Sequence, residues 1–93
     1  MTSAKQYLVN IKQALTVSLG NSNLYQGEQG ALRLAREIGT CLQDYDKKEA
    51  YDAFRDSYNY VCVMGYNLKP PVNKKEWDDA VLQGMRNSTK IFD

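Results

Sequence analysis

Three features of the sequence predict an all-α protein folded as an antiparallel, up-down four-helix bundle. Apolar residues recur at helical spacing in four successive segments, short polar stretches separate them, and no segment sustains the alternation of a strand. Short connections cannot carry the chain back along a helix, so consecutive helices must run in opposite directions. With 93 residues, 43% of them apolar and 25% charged, the chain can fill one core but not two, and 1–93 reads as a single domain.

The first helix opens at Ser3 and lines one face with Ala4, Tyr7, Leu8, Ile11, Ala14, Leu15 and Leu19. Gly20-Asn21-Ser22-Asn23 ends it, glycine taking a left-handed cap and the short polar residues a turn. The second stripe, Leu24, Ala31, Leu34, Ala35, Ile38, Cys41, Leu42 and Tyr45, is interrupted by Gly27, Gly30 and Gly39. A helical glycine costs about 1 kcal/mol relative to alanine, so Gly27 and Gly30 leave the start of this helix open between Leu24 and about residue 28.

Asp46-Lys47-Lys48-Glu49 has the form of a capping box, in which Asp46 accepts from the Glu49 amide and Glu49 reaches back. The helix it starts turns Ala50, Tyr51, Phe54, Ser57, Tyr58, Val61, Gly65 and Leu68 inward, and Asp52, Asp56, Asn59, Tyr60 and Val63 outward. It gives out around Gly65-Tyr66-Asn67, and Pro70-Pro71 then impose an extended connection, since neither donates a backbone hydrogen bond. Asn73-Lys74-Lys75-Glu76 repeats the capping pattern, with Val72 placed to staple against Trp77. The fourth helix presents Trp77, Ala80, Val81, Gly84 and Ser88 to the core. It sets Asp78 and Asp79 in its first turn, where the helix dipole favours them, and ends near Arg86 or Asn87.

Histidine is absent from the sequence, which removes the commonest general base, the commonest zinc ligand and the middle member of nucleophilic triads. No enzymatic activity, cofactor or metal is therefore expected. Two cysteines, Cys41 and Cys62, are too few for a tetrahedral zinc site or a disulfide framework, and both are expected to be buried, reduced thiols. Asp44-Tyr45-Asp46 lacks the glycine and glutamate of a calcium loop and reads as a turn.

A net charge of +1 supplies no field to gather phosphates, so nucleic acid is not an expected partner. The longest apolar stretch, Tyr60 to Tyr66, falls far short of the roughly 20 residues a membrane-spanning helix needs. Met1-Thr2-Ser3-Ala4-Lys5 leads straight into an amphipathic pattern without the blocks of a secretory signal. A cytoplasmic protein without membrane insertion is the expectation.

Recognition through the surface is what remains. An outward Tyr60 beside Val63 suits a protein partner, since tyrosine joins a large apolar ring to a polar tip. The loop Tyr66 to Val72 offers Leu68 and Lys69, and the segment from Arg86 to Asp93 offers Arg86, Lys90, Ile91 and Phe92. Leu68, Val72, Ile91 and Phe92 would alternatively close one end of the bundle.

Tyr58-Asn59-Tyr60-Val61, followed by Asn67-Leu68-Lys69-Pro70, a short amphipathic helix and a tail, resembles the immunity proteins of pediocin-like (class IIa) bacteriocins. The resemblance extends over the whole chain in size and helix order, and in residues rests on that region. It implies a cytosolic four-helix bundle that protects a bacteriocin producer without catalysis, acting at the membrane permease that the toxin uses as receptor. It further implies that toxin discrimination falls to the loop Asn67 to Val72 and the tail from Arg86. The short tail and near-neutral charge depart from many members of the family. The other reading of a noncatalytic surface is a phage-encoded or regulatory inhibitor that binds a host protein through the Tyr60 face or the tail.

Overall fold

The computed structural model describes residues 3–18 and 24–86. Among them are four helices and no strand: α1 (Ala4–Ser18), α2 (Gly27–Leu42), α3 (Lys47–Ser57, continued by a π-helical segment, Tyr58–Val63) and α4 (Lys74–Arg86). No helix among the described residues is long and apolar enough to cross a membrane. The expected first terminator, Gly20-Asn21-Ser22-Asn23, lies outside the described residues, as do Leu19 and Ser88.

Contacts at the helix ends set the directions. The Ala4 N–H donates to Glu49 Oε1 at 2.8 Å, while Leu15 packs on Gly65, so α1 and α3 run parallel. Tyr45, just past α2, lies 6.3 Å from Tyr7 near the start of α1, and the Tyr66 hydroxyl donates to the Tyr25 carbonyl ahead of α2. The second helix therefore opposes both. Gln43 Nε2, beyond the end of α2, donates to the carbonyls of Gly84 and Met85 in the last turn of α4, which returns alongside α2. The result is the expected up-down four-helix bundle.

Within that topology the most extensive interface joins α2 and α4, which are not consecutive. Two glycines permit it. A Cβ on Gly39 would stand 2.1 Å from the Val81 carbonyl oxygen, and one on Gly84 would stand 2.1 Å from that of Arg36. Here glycine serves close backbone approach, not flexibility. Drawn onto α4, α2 has little contact with α1.

That displacement corrects the burial expected for the second stripe. Its buried residues are Gly30, Ala31, Leu34, Ala35, Ile38, Gly39 and Leu42, while Cys41, on the flank toward α1, is exposed. Ala14, two turns further along α1 than the Tyr7 that faces Cys41, is exposed as well. The helix also begins at Gly27, whose φ of +72° a glycine tolerates.

Both capping sequences start helices, by different wiring. Asn73 Oδ1 accepts from the Glu76 amide at 2.9 Å and Glu76 Oε1 accepts from the Asn73 amide at 3.4 Å, a reciprocal box. Asp46 Oδ1 accepts from the Glu49 amide at 3.0 Å as expected. Glu49, however, turns away to cap α1 through Ala4, joining two helix starts with one carboxylate.

The core is Ala4, Leu8, Leu15, Ala31, Leu34, Ala35, Ile38, Leu42, Ala50, Ala53, Val61, Cys62, Val72, Trp77, Ala80, Val81 and Met85, with Tyr66 at its edge. Trp77 is fully buried, and its indole N–H donates to Ser57 Oγ at 2.9 Å. Ser57 in turn donates to the Phe54 carbonyl at 2.9 Å. The buried polar atoms of this pair are thus partnered, as an apolar interior requires.

Candidate functional site

The π segment determines which side chains reach the surface beyond α3. Tyr58-Asn59-Tyr60-Val61-Cys62-Val63 is rich in β-branched and aromatic residues of modest helix propensity, and its turn widens so that the Met64 amide bonds back to the Asn59 carbonyl. Each residue of a π turn advances the helix face less than in an α turn, so the inward stripe lags by about one residue. Val61 and Cys62 are buried, then Gly65 and Tyr66.

Leu68, expected inward by regular spacing, is instead 66% exposed. Its amide bonds to the Val63 carbonyl at 2.7 Å, and it follows Asn67 into the left-handed region, with φ of 57° at Asn67 and 66° at Leu68. Asparagine tolerates that conformation, whereas leucine adopts it at a cost of about 1–2 kcal/mol. The chain therefore turns an apolar side chain into solvent on a strained backbone. Met64 (46% exposed) precedes it by four residues, and exposed Lys69 follows it.

Tyr60 and Val63, expected on a free outer face, are half-buried. The reason is α1: Lys12 Nζ stands 5.2 Å from the Tyr60 ring centroid, a cation–π contact. Tyr60 forms the wall between two surface hollows, one with Lys5, Leu8, Val9 and Asp56, the other with Asp56, Asn59, Val63 and Met64. Asp52 and Asp56 form no ion pair with Lys48 or Arg55; the described ion pair is Lys74 with Asp78.

The structure thus gathers Tyr60, Val63, Leu68 and Lys69 around the far end of α3. Arg86 is exposed at the last turn of α4, beside the α2–α3 connection, and so at the opposite end of the bundle. Lys90, Ile91 and Phe92 lie outside the described residues. Met64 belongs to the site and was missed, because only the altered turn brings it out beside Leu68. Leu24, 48% exposed, precedes Tyr25, whose carbonyl receives the Tyr66 hydroxyl, and so adds a third apolar side chain at this end.

Ionisable groups near this end are held protonated. Burial pushes the Cys62 thiol from 9.0 up to about 12, against the opposing effect of a backbone hydrogen bond with Val72. Burial, then the proximity of Cys62 and Tyr25, pushes the Tyr66 phenol up to about 12. At the opposite end of the bundle, burial and the hydrogen bond with Cys41 raise the Tyr7 phenol as well. A thiol so buried is a core side chain, not a nucleophile.

These shifts predict alkaline destabilisation. An acid whose folded pKa lies above its unfolded value keeps its proton in the fold, while the unfolded chain releases it. Its stability contribution is complete below about pH 9 and is lost as pH climbs toward 12. Cys62 alone amounts to on the order of 4 kcal/mol across that window. Urea midpoints should hold level to about pH 8 and fall by about pH 11, less steeply in Cys62→Ala. A level midpoint throughout would contradict the burial of these groups.

Fold and surface together define an all-α helical bundle with an apolar turn displayed at one end. Comparison with known protein families, characterised proteins and solved structures finds no match.

Proposed function

We propose that this chain is a noncatalytic, protein-binding bundle of the bacteriocin-immunity type, which shields a cell by contact with the membrane permease that a pediocin-like toxin uses as receptor. The observation that carries the reading is Leu68, two-thirds exposed on a left-handed turn in the Asn67-Leu68-Lys69-Pro70 segment that bears the family resemblance. Strain retained at an exposed residue marks a position held for use, because folding alone gains nothing from it. Met64 and Val63 extend the apolar contact, and Lys69 lends it a polar rim, the composition of a protein-binding patch.

Expression of the chain in a bacterium sensitive to pediocin-like peptides tests this reading. Growth in the presence of at least one such peptide, at a concentration that kills the parent strain, is the expected result. Equal killing across a panel of these peptides, with the protein present at normal levels, would overturn it.

A further inference from the structure

The close seating of α2 on α4 leaves a groove between α1 and α2 that the proposed contact at Leu68 does not use. Tyr7, Ile11, Ala14, Leu15, Tyr25 and Leu34 wall a space of about 450 Å³, within the range of small-molecule sites. At Tyr7 and Glu37 it runs into a second hollow, lined by Arg33, Arg36, Thr40 and Cys41. An apolar trough thus opens onto a polar basin.

The charge of that basin is positive. Neither Arg33 nor Arg36 takes part in an ion pair among the described residues. The carboxylate beside them, Glu37, accepts from the Tyr25 hydroxyl at 2.5 Å. Two guanidiniums, each with a fork of donors matched to carboxylate, stand against one carboxylate already engaged.

The trough also limits what can enter it. Apart from Tyr25, the described wall residues lie on helices whose backbone groups are consumed by their own hydrogen bonds, so among them an extended peptide finds few partners for its amides. A slender chain without amides fits.

We propose that this groove binds one long-chain fatty acid, its alkyl chain against Ile11, Ala14, Leu15 and Leu34 and its carboxylate held by Arg33 and Arg36. The site is independent of the Leu68 contact, so its failure would leave that proposal standing.

Displacement of a fluorescent fatty-acid probe from the full chain by dodecanoate, below its micellar concentration, is the test. Saturable binding of one dodecanoate per chain is expected, with dodecylamine at least about tenfold weaker. Arg33→Glu combined with Arg36→Glu should weaken dodecanoate by about tenfold or more and leave 1-dodecanol unchanged. Ala14→Phe changes an exposed wall residue and should exclude both ligands, with thermal unfolding unaltered. Absence of saturable binding, an amine that binds as tightly as the carboxylate, or charge-reversed arginines without effect would each overturn the assignment. Sedimentation with phosphatidylglycerol vesicles in a chain that ignores free dodecanoate would do so too, by assigning the apolar surface to bilayers.

Discussion

Gly39→Ala is expected to cost about 3 kcal/mol, the upper part of the overpacking range, although alanine is the better helix former by about 1 kcal/mol. The added methyl would stand 2.1 Å from the Val81 carbonyl oxygen and 2.9 Å from the Met85 nitrogen, both backbone atoms that no rotamer change can move. Relief requires α2 and α4 to separate, which opens the most extensive interface of the bundle. Gly84→Ala should behave alike, because its methyl meets the Arg36 carbonyl oxygen at 2.1 Å. For a domain of this size the loss corresponds to a fall in Tm of about 12–24 °C. Gly65→Ala is the contrast: its methyl meets only the flexible Leu15 side chain, closest at the Cδ1 tip, 3.0 Å away, and should shift Tm by a few degrees at most. Equal melting temperatures for the three variants would show that α2 and α4 do not approach so closely.

The second large effect belongs to Trp77, the one tryptophan of the chain and fully buried. Trp77→Ala removes an aromatic side chain from the core and should cost about 3–5 kcal/mol, enough to leave a marginal domain largely unfolded. Trp77→Phe keeps a ring but deletes the N–H that Ser57 accepts, and should fall between alanine and the native residue. Ser57→Ala separates the two contributions. It strands the buried indole N–H without changing the ring, at about 1–3 kcal/mol. Denaturation followed by circular dichroism gives all three values. Near-native stability of Trp77→Ala would contradict a core organised around the indole.

What could be read from the sequence was local. The four apolar stripes and the caps at Asp46 and Asn73 depend on residues within one or two turns, and the helices form where those signals stand. What could not be read was the choice of partners between helices. Gly39 counts against α2 as a helix-propensity penalty, yet its role is to let α4 approach, a fact held by Val81 forty-two residues away. The exposure of Cys41 follows from the same displacement, since a stripe does not reveal which flank a neighbour covers. Glu49 likewise satisfies the pattern of a capping box and serves α1 instead.

The candidate site was half legible for a related reason. Leu68 and Lys69 were recognisable from the loop that contains them, but the π segment reverses the expected places of Leu68 and the half-buried pair Tyr60 and Val63. Its six residues depart from α geometry without a proline or glycine to announce it. Arg86, grouped with Leu68 on sequence grounds, lies at the other end of the bundle.

Comparing wild-type chain with Leu68→Gly, for thermal stability and for toxin protection in the same sensitive strain, bears most directly on the claim that the displayed turn acts by contact. Glycine accepts the left-handed backbone without strain, so the variant should melt at or above the wild-type temperature while protection is lost. Undiminished protection by a stable Leu68→Gly chain would contradict the account.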